Sequence, residues 1–83
     1  MRTVTLYLRP GCHLCEEALG HLRALQRELA FRVRQVNIQE DPALLERYDW
    51  FIPVVELEGE ELARAPVDPA RLRRELARRL AAG

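Results

Sequence analysis

The chain has 83 residues, of which 48% are hydrophobic and 31% charged, and its 13 basic residues balance its 13 acidic ones. A chain of this length is expected to form one domain, spanning residues 1–83. Without a basic excess it is not expected to bind nucleic acid or an anionic membrane surface. No apolar run approaches the ~20 residues of a membrane span.

The cellular location follows from the first residues and from the cysteine count. Arg9, Pro10 and Gly11 interrupt the first apolar run, so the basic-then-apolar pattern of a secretory signal is missing. We therefore expect a cytoplasmic protein. In a reducing compartment, two cysteines indicate a catalytic or metal-binding role rather than a structural bridge.

The first predicted elements are a strand and a long helix. Over residues 3–8, Val4, Leu6 and Leu8 alternate with polar or aromatic residues, which predicts a strand. From His13 to about Leu29, apolar residues recur every three or four positions, as in an amphipathic helix.

A second strand is predicted from Phe31 to Ile38, and its hydrophobic pattern changes phase midway. Either a bulge near Arg34-Gln35 or burial on both faces would explain the change. Its short connection to the preceding helix favours a right-handed βαβ unit with parallel strands.

Two cap signals predict the later helices. Asp41-Pro42 combines an N-cap residue with proline at the first helical position, which predicts a short helix over 42–48. Asp68-Pro69 repeats the signal and opens the last helix.

Between these helices, residues 53–57 are predicted to form a strand, 58–60 a tight turn and 61–63 a short returning strand. The order β-α-β-α-β-β-α predicts an α/β fold with a four-stranded mixed sheet and three helices. This is the minimal thioredoxin-like architecture.

The motif Cys12-His13-Leu14-Cys15 lies where the first strand gives way to the first helix. There the unpaired N–H groups and the helix dipole stabilise a thiolate, and such sites bring a cysteine pKa from ~8.5 to roughly 3.5–7.5. Residues three apart share a helix face, so the pair can close and reopen as a disulfide. The motif predicts thiol–disulfide chemistry, with Cys12 attacking and Cys15 resolving.

The cysteine pair has two other possible interpretations. A purely structural disulfide is disfavoured, because so short a loop constrains the unfolded chain very little. A half-site for zinc or an iron–sulfur cluster is the stronger alternative, completed across a dimer because one chain supplies only two thiolates.

Three segments together resemble the glutaredoxin-like family of thioredoxin-fold proteins, and among them a set of short bacterial domains. They are Leu6-Tyr7-Leu8-Arg9-Pro10-Gly11-Cys12-His13-Leu14-Cys15, Asp41-Pro42 with Tyr48, and Ile52-Pro53-Val54. The resemblance spans nearly the whole chain. It implies a thiol–disulfide oxidoreductase that acts on protein disulfides or glutathione mixed disulfides, with a thiol reductant as electron donor. It implies no metal and no cofactor beyond glutathione as a co-substrate, and we expect a monomer.

The resemblance also implies roles for single residues. Pro53 is the predicted cis-proline beside the cysteines, which leaves the backbone of Ile52 free to pair with a substrate segment. Without the resemblance, a trans-proline at the start of an edge strand would be expected. Arg9 occupies the position of a basic residue that favours the thiolate and can bind a substrate carboxylate. The alternative is an ordinary solvated arginine.

Three further residues near the motif are candidates for the site. His13 is expected to donate to the thiolate or to shuttle a proton, the alternative being that it caps exposed backbone. Trp50 and Phe51 are expected to form an apolar platform for a partner peptide, with one of them exposed and the other buried.

The chain departs from the family pattern before its last helix. Glutaredoxins that use glutathione carry a glycine pair there, followed by an acidic residue that holds the tripeptide. Residues 62–68 contain no glycine, and Asp68 is accounted for as an N-cap. Glutathione binding therefore stays open, and a protein disulfide is an equally good substrate. A third class, a thioredoxin-fold adaptor that binds without turnover, predicts that Cys12→Ala preserves partner binding.

Overall fold

The structure, a computed structural model, describes residues 1–82 and contains one mixed sheet with helices on both faces. The strands lie in the order β2-β1-β3-β4, with β1 and β2 parallel and the other pairs antiparallel. The predicted α/β thioredoxin-like architecture is confirmed. A single 3₁₀ turn over Ile38–Glu40 was not predicted. The elements are β1 (Thr3–Leu8), α1 (His13–Leu25), β2 (Arg32–Asn37), α2 (Pro42–Tyr48), β3 (Val54–Leu57), β4 (Glu60–Arg64) and α3 (Pro69–Ala81).

Side-chain caps fix the beginnings of α2 and α3, as the two Asp-Pro pairs predicted. The Asp41 carboxylate accepts the N–H of Ala43 at 2.9 Å. The Asp68 carboxylate accepts the N–H of Ala70 at 3.0 Å and that of Arg71 at 3.4 Å. The prolines that follow cost no helical hydrogen bond, because the first N–H groups of a helix have no intrahelical partner.

The first helix is shorter than its apolar spacing suggested. It ends at Leu25, and the following residues turn back, with the N–H of Arg27 bonded to the carbonyl of Ala24 at 3.2 Å and that of Glu28 to Leu25 at 3.0 Å. These bonds span three residues, as in a tightened last turn. Leu29 still packs against the core, which explains why it continues the helical pattern.

Of the two explanations for the phase change in β2, the structure excludes the bulge near Arg34-Gln35 and supports burial on both faces. The register between β1 and β2 is continuous, and the irregularity lies between β3 and β4, at Val55/Glu56. The change of phase instead reflects partial burial on both faces of β2, where Val33 and Val36 point to opposite sides and both are half-buried.

Two hydrophobic clusters lie on the two faces of the sheet. The main cluster packs α1 and α3 against β1 and β3, and it includes Val4, Leu6, Leu22, Leu72 and Leu76, all fully buried. The second cluster lies under α2 and the start of α1; its buried members are Cys15, Ile38, Tyr48, Ile52 and Val54. Within residues 1–82, no helix is both long enough and apolar enough to cross a membrane.

Candidate redox site

The two cysteines are joined by a disulfide at the start of α1, with their Cα atoms 5.2 Å apart. Cys12 is the N-cap, and its Sγ accepts the N–H of Cys15 at 3.2 Å. Cys12 is half-buried, whereas only 3% of Cys15 is exposed. One sulfur therefore faces solvent at the positive end of the helix, and the other is shielded one turn further on.

A tight turn before the helix presents Cys12. Gly11 has φ of +76°, in the left-handed region that glycine adopts without strain. An added Cβ at Gly11 would meet no atom within 4 Å, so the requirement for glycine comes from the backbone alone.

The segment around Pro53 closes one side of the disulfide. The Ile52–Pro53 peptide bond is cis, as predicted, and a second cis bond, Ala65–Pro66, was not predicted. Ile52 packs in the second cluster with Cys15. Its N–H donates to the carbonyl of Tyr48 at 3.1 Å, so the expectation of a free Ile52 backbone is wrong for the N–H group.

Both aromatic residues before Ile52 are exposed, which corrects the expectation that one would be buried. Trp50 is 89% exposed and Phe51 42%. The interior position belongs to Tyr48, which is 3% exposed and stacks on Tyr7 with ring centroids 4.5 Å apart. The guanidinium of Arg64 lies over the Phe51 ring, 4.5 Å from its centroid, and covers part of it.

Leu14 adds a third exposed apolar side chain beside the disulfide, with 50% of its surface accessible. It lines a small cleft on the exposed side of α1, next to the two cis-prolines. The cleft residues are Leu14, Glu17, Ala18, His21, Pro53, Pro66 and Val67. The surface next to Leu14 is thus partly apolar.

Arg9 and His13 face carboxylates. The Nη1 of Arg9 lies 3.0 Å from Oδ1 of Asp49. His13 is 83% exposed at its side chain, with its ring nitrogens 4.0 Å from Glu16 and 3.6 Å from Glu17. Sequence reasoning missed Asp49, because 40 positions separate it from Arg9 and no local pattern links them.

The surroundings of Cys15 are apolar and hold two neutral phenols. The Tyr7 hydroxyl donates to Oε1 of Glu56 at 3.1 Å. Burial raises the pKa of both Tyr7 and Tyr48. The nearby Glu56 carboxylate raises both pKa values further. Both rings are therefore uncharged at neutral pH and add no charge near the buried sulfur.

Nothing in the described part of the chain completes a metal site around the cysteines. Within residues 1–82, no three His, Cys, Asp or Glu side chains come together as ligands could. A zinc or cluster site built on Cys12 and Cys15 would therefore need ligands from a second molecule. Asp68 uses its carboxylate to cap α3.

The fold and the disulfide define a class: thioredoxin-fold proteins with a Cys-x-x-Cys pair opening the first helix. A mutant thioredoxin from Halobacterium salinarum has the same fold, with a TM-score of 0.70 over 93% of this chain and 73% of that one, at 17% identity. More specifically, the model of the Glutaredoxin-like domain family (DUF836) matches residues 3–77, and the chain belongs to this family. The resemblance seen in the sequence is confirmed.

Two further proteins of similar length resemble this chain. The uncharacterized protein Rv0508 of Mycobacterium tuberculosis is 32% identical over 80 residues, which cover 90% of this chain and 82% of that protein. The X-ray structure of XcR50 from X. campestris is 39% identical, with a TM-score of 0.74 over 90% of this chain and 96% of that one. A glutaredoxin-like fold with Cys12 and Cys15 at disulfide distance fits a redox function.

Proposed function

We propose that the protein is a small thiol–disulfide oxidoreductase, with Cys12 as nucleophile and Cys15 as resolving thiol. The unequal exposure of the two sulfurs carries this proposal: the half-buried Cys12 can meet a partner sulfur, and the buried Cys15 can meet only Cys12. The Cys15 N–H, 3.2 Å from Sγ of Cys12, would stabilise the thiolate that starts the reaction.

The reaction is a two-electron exchange in two steps. The Cys12 thiolate attacks one sulfur of the substrate disulfide, forms a mixed disulfide, and releases the other substrate sulfur as a thiolate that takes a proton from water. The Cys15 thiolate then attacks Sγ of Cys12, releases the second substrate thiolate, and leaves Cys12 and Cys15 oxidised. A thiol reductant returns both cysteines to the reduced state. We expect this cycle to run in the reducing cytoplasm.

The substrate we favour is a protein disulfide next to an apolar side chain. Trp50 and Phe51 expose aromatic surface just before Ile52, which packs in the same cluster as Cys15, and covering apolar surface with a partner releases free energy. Glutathione is the second candidate. It has less apolar surface to offer, and the Asp68 carboxylate is already occupied as a helix cap.

A matched pair of variants tests the proposal. Cys12→Ala and Cys15→Ala both remove the disulfide, but only Cys15→Ala keeps the nucleophile. With a protein disulfide and dithiothreitol as reductant, we expect turnover in the wild type and none above the uncatalysed rate in Cys12→Ala. With the same substrate and no reductant, reduced Cys15→Ala should form a stable mixed disulfide that mass spectrometry detects. Turnover that survives in Cys12→Ala would refute the assignment.

Equilibrium dialysis of the reduced protein against zinc tests the metal-binding alternative. Tight stoichiometric zinc binding together with no disulfide reduction would replace the redox proposal. The adaptor alternative predicts instead that Cys12→Ala binds the same partners as the wild type.

A further inference from the structure

The carboxylate of Asp49 is in an unfavourable place for its own helix. Asp49 is the C-cap of α2, and its N–H donates to the carbonyl of Leu45 at 3.0 Å. A helix ends in partial negative charge, so an acidic side chain there is repelled. The stability of α2 therefore does not explain why an aspartate occupies position 49. The ion pair with Arg9 does explain it, since Nη1 of Arg9 lies 3.0 Å from Oδ1 of Asp49.

The Arg9–Asp49 pair connects the segment that precedes Cys12 with the segment that leads to Pro53. Arg9 lines the same depression as Cys12 and Cys15, on the face of the disulfide near Gln35, and Asp49 does not line it. Asp49 immediately precedes Trp50, in the segment that leads to Pro53. The positive group of the pair is therefore the one on the side of the sulfurs. Because both side chains are over a third exposed, the pair itself adds little to stability.

We infer that Asp49 is a positioning residue that sets how much positive charge Arg9 presents to Cys12. This inference rests on the proposed redox function. With Asp49 ionised, Arg9 is held and largely compensated, and the Cys12 thiolate gains only part of the stabilisation that a free guanidinium would give. Without the carboxylate, the full charge of Arg9 acts on the sulfur. The other titratable groups near Cys12 stay constant in the comparison. His13 follows Cys12 in the chain, Glu16 lines the same depression, and Tyr7 and Tyr48 belong to the cluster against which Cys12 packs.

The test measures the pKa of Cys12 by its rate of alkylation against pH. All variants carry Cys15→Ala, so that a single thiol reacts. We expect Asp49→Asn to lower the Cys12 pKa by about half a unit and Arg9→Gln to raise it by a similar amount, because exposed charges act through a screened medium. The double variant should match Arg9→Gln alone, because Asp49 acts on the sulfur only through Arg9.

Glu46→Gln is the matched control. It removes one exposed negative charge from the same helix without touching Arg9, and Glu46 makes no ion pair within residues 1–82. We expect its Cys12 pKa to equal that of the parent. In 1 M salt, where the screening length falls to about 3 Å, most of the Asp49→Asn shift should disappear.

Three results would overturn the inference. The first is an unchanged Cys12 pKa in Asp49→Asn at low salt. The second is an equal shift from Asp49→Asn with and without Arg9, which would mean that the carboxylate acts on the sulfur directly. The third is a shift that persists in 1 M salt. Failure of the redox proposal is a separate outcome, since it would show as absent turnover with the Cys12 titration intact.

Discussion

The turn that presents Cys12 gives the sharpest stability prediction. Replacing Gly11 with alanine places an L-residue at φ of +76°, and the new Cβ meets no atom within 4 Å. The cost is then purely conformational, roughly 1–2 kcal/mol for the left-handed region. Alanine also restricts the unfolded chain, which offsets about 0.4–1 kcal/mol. We expect a net loss of about 1 kcal/mol, or about 4–8 °C in Tm for a domain of this size.

Gly59 provides the control for this prediction. It lies in the turn between β3 and β4 with φ of +88°, and an added Cβ there also meets nothing within 4 Å. Urea unfolding of the oxidised proteins should give the same loss for Gly59→Ala and Gly11→Ala. Only Gly11→Ala should change the alkylation rate of reduced Cys12, because only Gly11 adjoins it. Full stability of Gly11→Ala, or an equal effect of Gly59→Ala on the thiol, would refute this reasoning.

Three more predictions concern side chains around the site. Asp68→Ala should lower the free energy of unfolding in urea by about 1 kcal/mol, because two N–H groups of α3 lose their acceptor. Asp68→Asn should retain most of the wild-type stability, because its side-chain oxygen can still accept these bonds. Equal losses in the two variants would exclude a capping role. Trp50→Ala should raise KM about tenfold for a protein disulfide and leave a small aliphatic disulfide unchanged, as expected for an aromatic anchor of about 1.4 kcal/mol. Parallel changes for both substrates would contradict a platform role. Tyr7 and Tyr48 should ionise above pH 10 in an absorbance titration, since their folded pKa values are raised. Their contribution to stability is complete below the unfolded pKa of about 10 and is lost as pH rises through the folded values, so Tyr7→Phe should flatten the alkaline side of the stability curve.

Local chemistry made much of the fold predictable. The bounds of β1 and α2 follow from a period of two and from an Asp-Pro cap, and both signals act within a few residues. The end of α1 was not predictable in this way. Leu29 continues the helical spacing, yet it reaches the core from a turn, and only the position of the sheet decides that.

The redox site was likewise predictable in part. The location of Cys12 and Cys15 at a strand-to-helix turn could be predicted, because spacing and neighbouring residues determine it. The exposure of Phe51 could not, since it depends on Tyr48 filling the interior and on Arg64 covering the ring. Long-range pairing also hid Asp49, whose role depends on a residue 40 positions earlier.

The two hydrophobic clusters are separate, and only the smaller one surrounds the buried cysteine. The larger one, which includes Leu22, Leu72 and Leu76, lies across the sheet from the second cluster that holds Cys15. The cluster with more buried members is therefore the one that does not include the cysteines. Substitutions near the disulfide can therefore alter its reactivity while the packing of the larger cluster stays intact. A fold arranged in this way can acquire new redox specificities without losing most of its core.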